Sequence, residues 1–167
     1  MSATKALIDE FEAEAATTRR VLERVPADKL AWKPHDKSMS LGKLALHVAM
    51  SPAFITDWAV QDTVTMSGGN PPDPTTTKEI LDAHDTGAAK TKSNISSIGD
   101  ANMGKMWAIQ GPDGATMMSM PKANLLRTIA FNHTYHHRGQ LSVYLRLLNV
   151  PVPSIYGPSA DENPWAK

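Results

Sequence analysis

Three of the chain's six histidines fall within ten residues, Phe131-Asn132-His133-Thr134-Tyr135-His136-His137-Arg138-Gly139-Gln140. On a helix, residues four apart are neighbours on one face, with Cβ atoms roughly 5–6 Å apart. His133 and His137 can therefore direct two imidazoles at one point, a spacing that suits a transition-metal ion with Zn–N near 2.0–2.1 Å. The alternative is a pair of core histidines satisfied by hydrogen bonds. A third histidine on another element favours the metal, and His47 lies on an otherwise apolar helical face far upstream. His84 is a fourth conceivable ligand, with a hydrogen-bonded core role as its alternative.

The element carrying the pair reads as one amphipathic helix from about Lys122 to Asn149, begun by Pro121 in its first turn. On a wheel of about 100° per residue, Leu126, Ile129, Ala130, His133, His137, Gln140, Leu141, Tyr144 and Leu148 share one arc. His136 lies towards its edge and Arg138 opposite. The wheel thus aims the imidazoles at a bundle interior and gives Arg138 a surface or interhelix ion pair. Gln140 and Tyr144 could orient an imidazole through a hydrogen bond, or simply pack. Gly139 costs about 1 kcal/mol against alanine in mid-helix, which close approach of a neighbouring helix would explain.

Three further helices are expected. The first runs from about Ala3 to Val25, with Leu7, Phe11, Ala15, Thr18 and Leu22 as its buried stripe and Pro26 as its stop. The second follows Ser40, a good N-cap, and continues to about Met66. Leu44, His47, Val48, Ser51, Ile55 and Trp58 share one side. Pro52 lies within it and predicts a kink that frees the carbonyl of Val48 near the site. The third opens with a capping box, Thr76 and Glu79, and carries Ile80, Leu81, His84, Ala88, Thr91, Ile95 and Ile98, with Gly87 at its centre.

The connections are of different kinds. Trp32-Lys33-Pro34 sits in a loop where the tryptophan either covers a core end or walls a pocket. Ser67 to Pro74 is a breaker run, read as a crossover between helices. Residues 105–119 read as a short hairpin, rich in methionines that could line a binding pocket or pack over the bundle end. Pro151 to Pro158 is expected to pack back as an extended tail, with the chain from Ser159 loosely held.

The chain has 167 residues, 17 basic and 17 acidic, and no cysteine. Such a length suits one domain, 1–167, with a sizeable core. The balanced charge without a basic patch argues against nucleic acid. No run of about 18 apolar residues is present for a membrane span. Disulfides, thiolate ligands and a cysteine nucleophile are excluded. A cytoplasmic protein is the default expectation.

These residues together resemble the DinB/YfiT-like metalloenzyme family (a damage-inducible family unrelated to the DNA polymerase of similar label). The resemblance rests on Trp32-Lys33-Pro34, on Ser40-Leu41 leading to Leu46-His47-Val48, and on His133-Thr134-Tyr135-His136-His137-Arg138-Gly139-Gln140. Tyr144-Leu145-Arg146 and the tail from Pro153 to Asp161 support it. It spans nearly the whole chain. It implies an all-α four-helix bundle in up-down-down-up order, with the hairpin inserted between helices three and four. It implies the metal ligands His47, His133 and His137, and often a homodimer. Characterised relatives include thiol-dependent S-transferases and a mycothiol-dependent isomerase.

Three neutral histidines leave a divalent ion with open positions, the layout of a catalytic site. Zn, Ni, Cu and Fe(II) suit all-nitrogen ligands, and Mn belongs to the expected set. The expected chemistry is transfer of a low-molecular-weight thiol to an electrophilic small molecule held between bundle and hairpin. A metal-dependent hydrolase is a close variant. A stress-linked dimeric metal-binding protein without turnover is the alternative of another class.

Overall fold

The computed structural model describes residues 2–66, 69 and 71–166. Helix α1 spans Ala3–Leu22 and is capped by Ser2, whose hydroxyl accepts from Lys5 N–H. A short 3₁₀ turn, Ala27–Lys29, leads to α2, Leu41–Ala59, where the Ser40 hydroxyl accepts from Lys43 N–H. Helix α3 spans Thr77–Asn102, with Thr76 accepting from Glu79 N–H. The reciprocal arm of this capping box is shifted by one residue: Glu79 accepts from Thr75 N–H, at 3.0 Å. Helix α4 covers 122–147. It is made of an α turn Lys122–Asn124, a π-helical stretch Leu125–Asn132, and an α-helix His133–Leu147.

Side-chain pairings fix the helix directions. Asp100 of α3 binds Ser2 and Thr4 at the start of α1, and Asp85 binds Arg19 near its end, so α1 and α3 are antiparallel. Gly87 faces Ala49 and Ala53, and Asn94 binds Thr56 and Asp57, so α2 and α3 run the same way. Glu10 pairs with Arg127 and Glu14 with Arg138, so α4 runs with α1. The order is up-down-down-up. The crossover between α2 and α3 is the breaker run, of which Ser67, Gly68 and Asn70 lie outside the described residues.

A small sheet closes one end of this bundle. Strands β2, Met106–Gln110, and β3, Thr116–Pro121, form the expected hairpin between α3 and α4. A third strand, β1, Thr63–Thr65, pairs parallel with β2 through Thr63↔Ala108 and Thr65↔Gln110. The second helix therefore stops at Ala59 rather than near Met66. Thr63-Val64-Thr65 is β-branched throughout, which favours a strand, and Val64 turns its side chain into the core. Parallel pairing follows from topology: α2 and α3 end side by side, and each feeds its strand in the same direction.

The core has two buried clusters. One, around Phe11, Ile55, Ile95, Trp107 and Phe131, lies against the sheet. The other, around Leu22, Leu41, Leu44, Ile80, Leu141 and Leu145, fills the opposite end. Gly87 serves the close contact of α2 and α3, since an added Cβ would lie 3.4 Å from the Ala49 carbonyl and from Ala53 Cβ. Gly139, where close approach was expected, is exposed and would meet nothing within 4 Å.

Helix α2 continues through Pro52. Val48 and Pro52 both line a small cavity of about 20 Å³ shared with His84, and His47 faces a separate pocket. The residues that bracket the expected free carbonyl thus line that cavity and not the pocket beside His47.

The tail packs back, and its end is tied down rather than loose. Asp161 accepts from Val152 N–H at 2.8 Å and pairs with Arg146, and Glu162 pairs with Arg20.

Candidate metal centre

The π-helical stretch sets which face of α4 meets the core. From Leu125 onward the buried positions are Leu125, Leu126, Ala130, Phe131, Thr134, Arg138, Leu141 and Leu145. Within the stretch, 125 and 130, and likewise 126 and 131, are both buried at a separation of five, the offset of the i→i+5 bonds of a π-helix. On an α-helical wheel a five-residue step drifts by about 140°, so the wheel's arc is misphased. Thr134 and Arg138 hold the buried seam, and His133 and His137 lie one residue to its side, half-buried. The imidazoles stand at the flank of the bundle, not at its centre.

Arg138 is the counterpart of that shift. It points away from the triad as expected, but into the core, with 1% of its side chain exposed. Its guanidinium meets the Glu14 carboxylate at 2.7 Å and donates to Thr18 Oγ1 at 3.0 Å and to Tyr156 OH at 2.6 Å. It also lies over the Tyr135 and Tyr156 rings. This group joins α1, α4 and the tail.

His47 reaches the same flank from α2. Its ring centroid lies 5.0 Å from that of His133 and 4.6 Å from that of His137. One ligand atom from each of His47, His133 and His137 lies within 4.8 Å of the others. His133 Nε2 and His137 Nε2 are 3.0 Å apart. Two nitrogens each about 2.1 Å from one ion would be about 3.4 Å apart in a tetrahedral site and about 3.0 Å apart at right angles, so the pair lies within a few tenths of an ångström of either geometry. The set could hold a metal ion.

Protonation and orientation fit that use. Burial, and then His137 and His133, push the His47 imidazole down to about 4. Burial is also the first cause of the lowered values of His133 and His137. The three are neutral near pH 7, the form in which an imidazole ligates a metal. His137 Nδ1 donates to Gln140 Oε1 at 2.7 Å, which leaves Nε2 as the ligand atom. The Gln140 amide in turn donates to His136 Nε2 at 3.0 Å. Gln140 is thus an orienting residue of the kind metal-bound imidazoles need. His133 Nδ1 is buried without a partner.

The other candidates fall elsewhere. His84 is buried against the small core cavity and its Nδ1 lies 3.1 Å from Asp85. His136 is exposed and outside the triad. The Tyr144 hydroxyl points to the Met39 carbonyl, and its ring packs edge-on against Trp32. Trp32 covers the core end and does not wall the site.

A pocket of about 370 Å³ opens beside His47 and His133. One wall is α2, from Lys43 through Leu46, Met50, Ser51 and Phe54; the other is the crossover loop, with Gly69, Pro71, Pro72 and Asp73. The hairpin takes no part. Met106, Met117 and Met118 are exposed on its surface instead. Sequence reading missed this loop wall; its three prolines, Pro71, Pro72 and Pro74, were the available signal.

Comparisons with known proteins agree with this architecture. The chain is 29% identical over 159 residues to YrdA, an uncharacterized protein of Bacillus subtilis, covering 95% of this chain and 88% of that protein. The crystal structure of a DinB-like protein from Bacillus cereus superposes with a TM-score of 0.73 at 21% identity, over 93% of this chain and 98% of that one. The DinB-like protein YjoA of Bacillus subtilis gives a TM-score of 0.69 at 19% identity, over 87% and 95%. No helix among the described residues is long and apolar enough to cross a membrane. The sequence profile of the DinB family matches residues 1–165, and the chain belongs to that family.

Proposed function

We propose that the chain is a metal-dependent enzyme in which His47, His133 and His137 hold one divalent transition ion, Zn, Ni, Fe or Mn. Its reaction transfers a low-molecular-weight thiol onto an electrophilic small molecule. The observation that carries the reading is a cluster of three neutral imidazoles, two of which, His47 and His133, line a largely apolar pocket of about 370 Å³. A structural ion would be expected in a closed site, with no such pocket beside it.

When bound, the ion would lower the pKa of a water or thiol ligand and polarise an electrophile. The chain's own residues do the rest. Gln140 holds the His137 ring by its Nδ1–H and fixes the tautomer. Leu46, Met50, Phe54 and Ile55 offer apolar surface to a substrate body and displace water. A hydrolase would use the same site, and Asp73, a carboxylate on the pocket wall, is the observation that favours it. The proposal includes a homodimer in the cytoplasm, which sizing of the purified chain and cell fractionation test.

Elemental analysis of the parent and of His47→Ala, His133→Ala and His137→Ala tests the centre. About one metal per chain in the parent, lost in each variant, is the expected outcome. Full occupancy in any one variant would remove that residue from the ligand set. A metal-free parent that takes up no ion after loading would overturn the reading. Assays of the loaded protein with thiols and electrophiles then separate thiol transfer from hydrolysis.

A further inference from the structure

The pocket beside the triad carries one cation whose role the fold does not explain. Lys43 lines it, half-buried, and its Nζ makes no hydrogen bond or ion pair among the described residues. Most other surface cations are engaged: Arg19, Arg20, Lys90, Lys92, Lys105, Arg127 and Arg146 each meet a carboxylate. Lys43 also sits one helical turn before His47, so both side chains leave α2 on the same face, with Cβ atoms about 6 Å apart. Continuing along that face, Phe54 lies about 10 Å beyond His47.

We propose that Lys43 is the specificity-determining residue of the pocket and that the ligand is an anionic small molecule with an apolar body. Its anionic group, a carboxylate or sulfonate, meets Lys43. Its reacting atom lies about one helical turn away, at the triad, and its apolar part lies on Met50 and Phe54. The proposal deepens the reading of the site as an enzyme centre and rests on it.

The titratable groups facing this pocket are Lys43, His47, His133 and Asp73. The histidines are neutral near pH 7 and leave the choice of charge to the other two. Asp73 is exposed on the loop and makes no ion pair with Lys43. Water screens an exposed carboxylate strongly. The half-buried ammonium, beside apolar walls, acts through a lower effective dielectric and gains more from a counter-charge. The pocket's apolar lining alone would accept neutral compounds equally, so the lysine is what discriminates.

A matched pair of fluorescent probes tests this without turnover and without metal. Anilinonaphthalene sulfonate and phenylnaphthylamine share one apolar body, and only the first carries a charge. The parent should bind the sulfonate about tenfold more tightly than the amine, as one charge-assisted contact allows. Lys43→Met should abolish that ratio and leave the amine's affinity unchanged, and Lys43→Arg should keep it. Asp73→Asn should leave the ratio unchanged or raise it. An undiminished ratio in Lys43→Met, or no preference in the parent, overturns the proposal. Loss of both probes in Lys43→Met would be checked by urea melts; a folded variant that binds neither also overturns it. Because the probes need no ion, this result is separate from the metal count that tests the centre itself.

Discussion

His47 links the site to pH. In the unfolded chain its imidazole titrates near the ordinary value of about 6.5, and in the folded chain it is held at about 4 by burial and its two neighbours. The folded state therefore binds fewer protons between these values. Its stability, complete above about pH 6.5, falls as pH drops towards 4. His133 and His137 shift in the same direction and add to the effect. The carboxylates with lowered values, such as Glu10 and Asp85, act further into acid and leave the upper part of this window to the histidines. The urea midpoint of the metal-free protein should decline between pH 6.5 and 4.5, and His47→Gln should flatten that decline. An equal slope in the variant would mean that the imidazole is not desolvated by folding. Protons also compete with an ion for the same nitrogens, so the loaded protein should release metal over the acid side of this range.

At the scale of elements, two glycines show what packing demands. Gly139 is in the α-helical part of α4, exposed, with nothing within 4 Å of an added Cβ. Gly139→Ala should raise stability by about 0.5–1 kcal/mol through helix propensity, with metal content unchanged. Gly87 faces Ala49 and Ala53 across the α2–α3 contact, and Gly87→Val should lower stability by about 1–3 kcal/mol by forcing the helices apart. Thermal melts of the two variants check the pair; a stabilised Gly87→Val or a destabilised Gly139→Ala would reverse the assignment. The same scale explains what could be read from the chain. Ser40 and Thr76 announced their helix starts because a cap is a local bond between neighbours. His47, His133 and His137 were legible because the last two lie in a regular α-helix, where i, i+4 spacing holds. The burial of Arg138 was not, because the π-helical residues before it move the core-facing seam, and because its partner Glu14 is 124 residues away. Strand β1 was hidden for a related reason: three residues make a strand only beside β2.

In the whole molecule, the triad spans two helices, α2 and α4. His47 comes from α2 and the other two histidines from α4, so an ion held by all three would bridge antiparallel helices. Binding to the folded state alone stabilises by about 2.7 kcal/mol when free metal is 100-fold above its dissociation constant. For a chain of this size that corresponds to a rise in Tm of roughly 5–10 °C. The unfolded chain cannot match this, because His47 is 86 residues from His133 and no preformed site survives there. His47→Ala is the informative variant. It keeps the i, i+4 pair of α4, which can still bind an ion weakly, but removes the bridge between helices. Its own Tm without metal should stay close to that of the parent at neutral pH, since the side chain is half-buried and makes no hydrogen bond to another side chain among the described residues. Its response to added Zn or Ni should shrink to a fraction of the parent's shift. A full shift in His47→Ala would place the bound ion on α4 alone and leave the pocket beside α2 without its reacting centre.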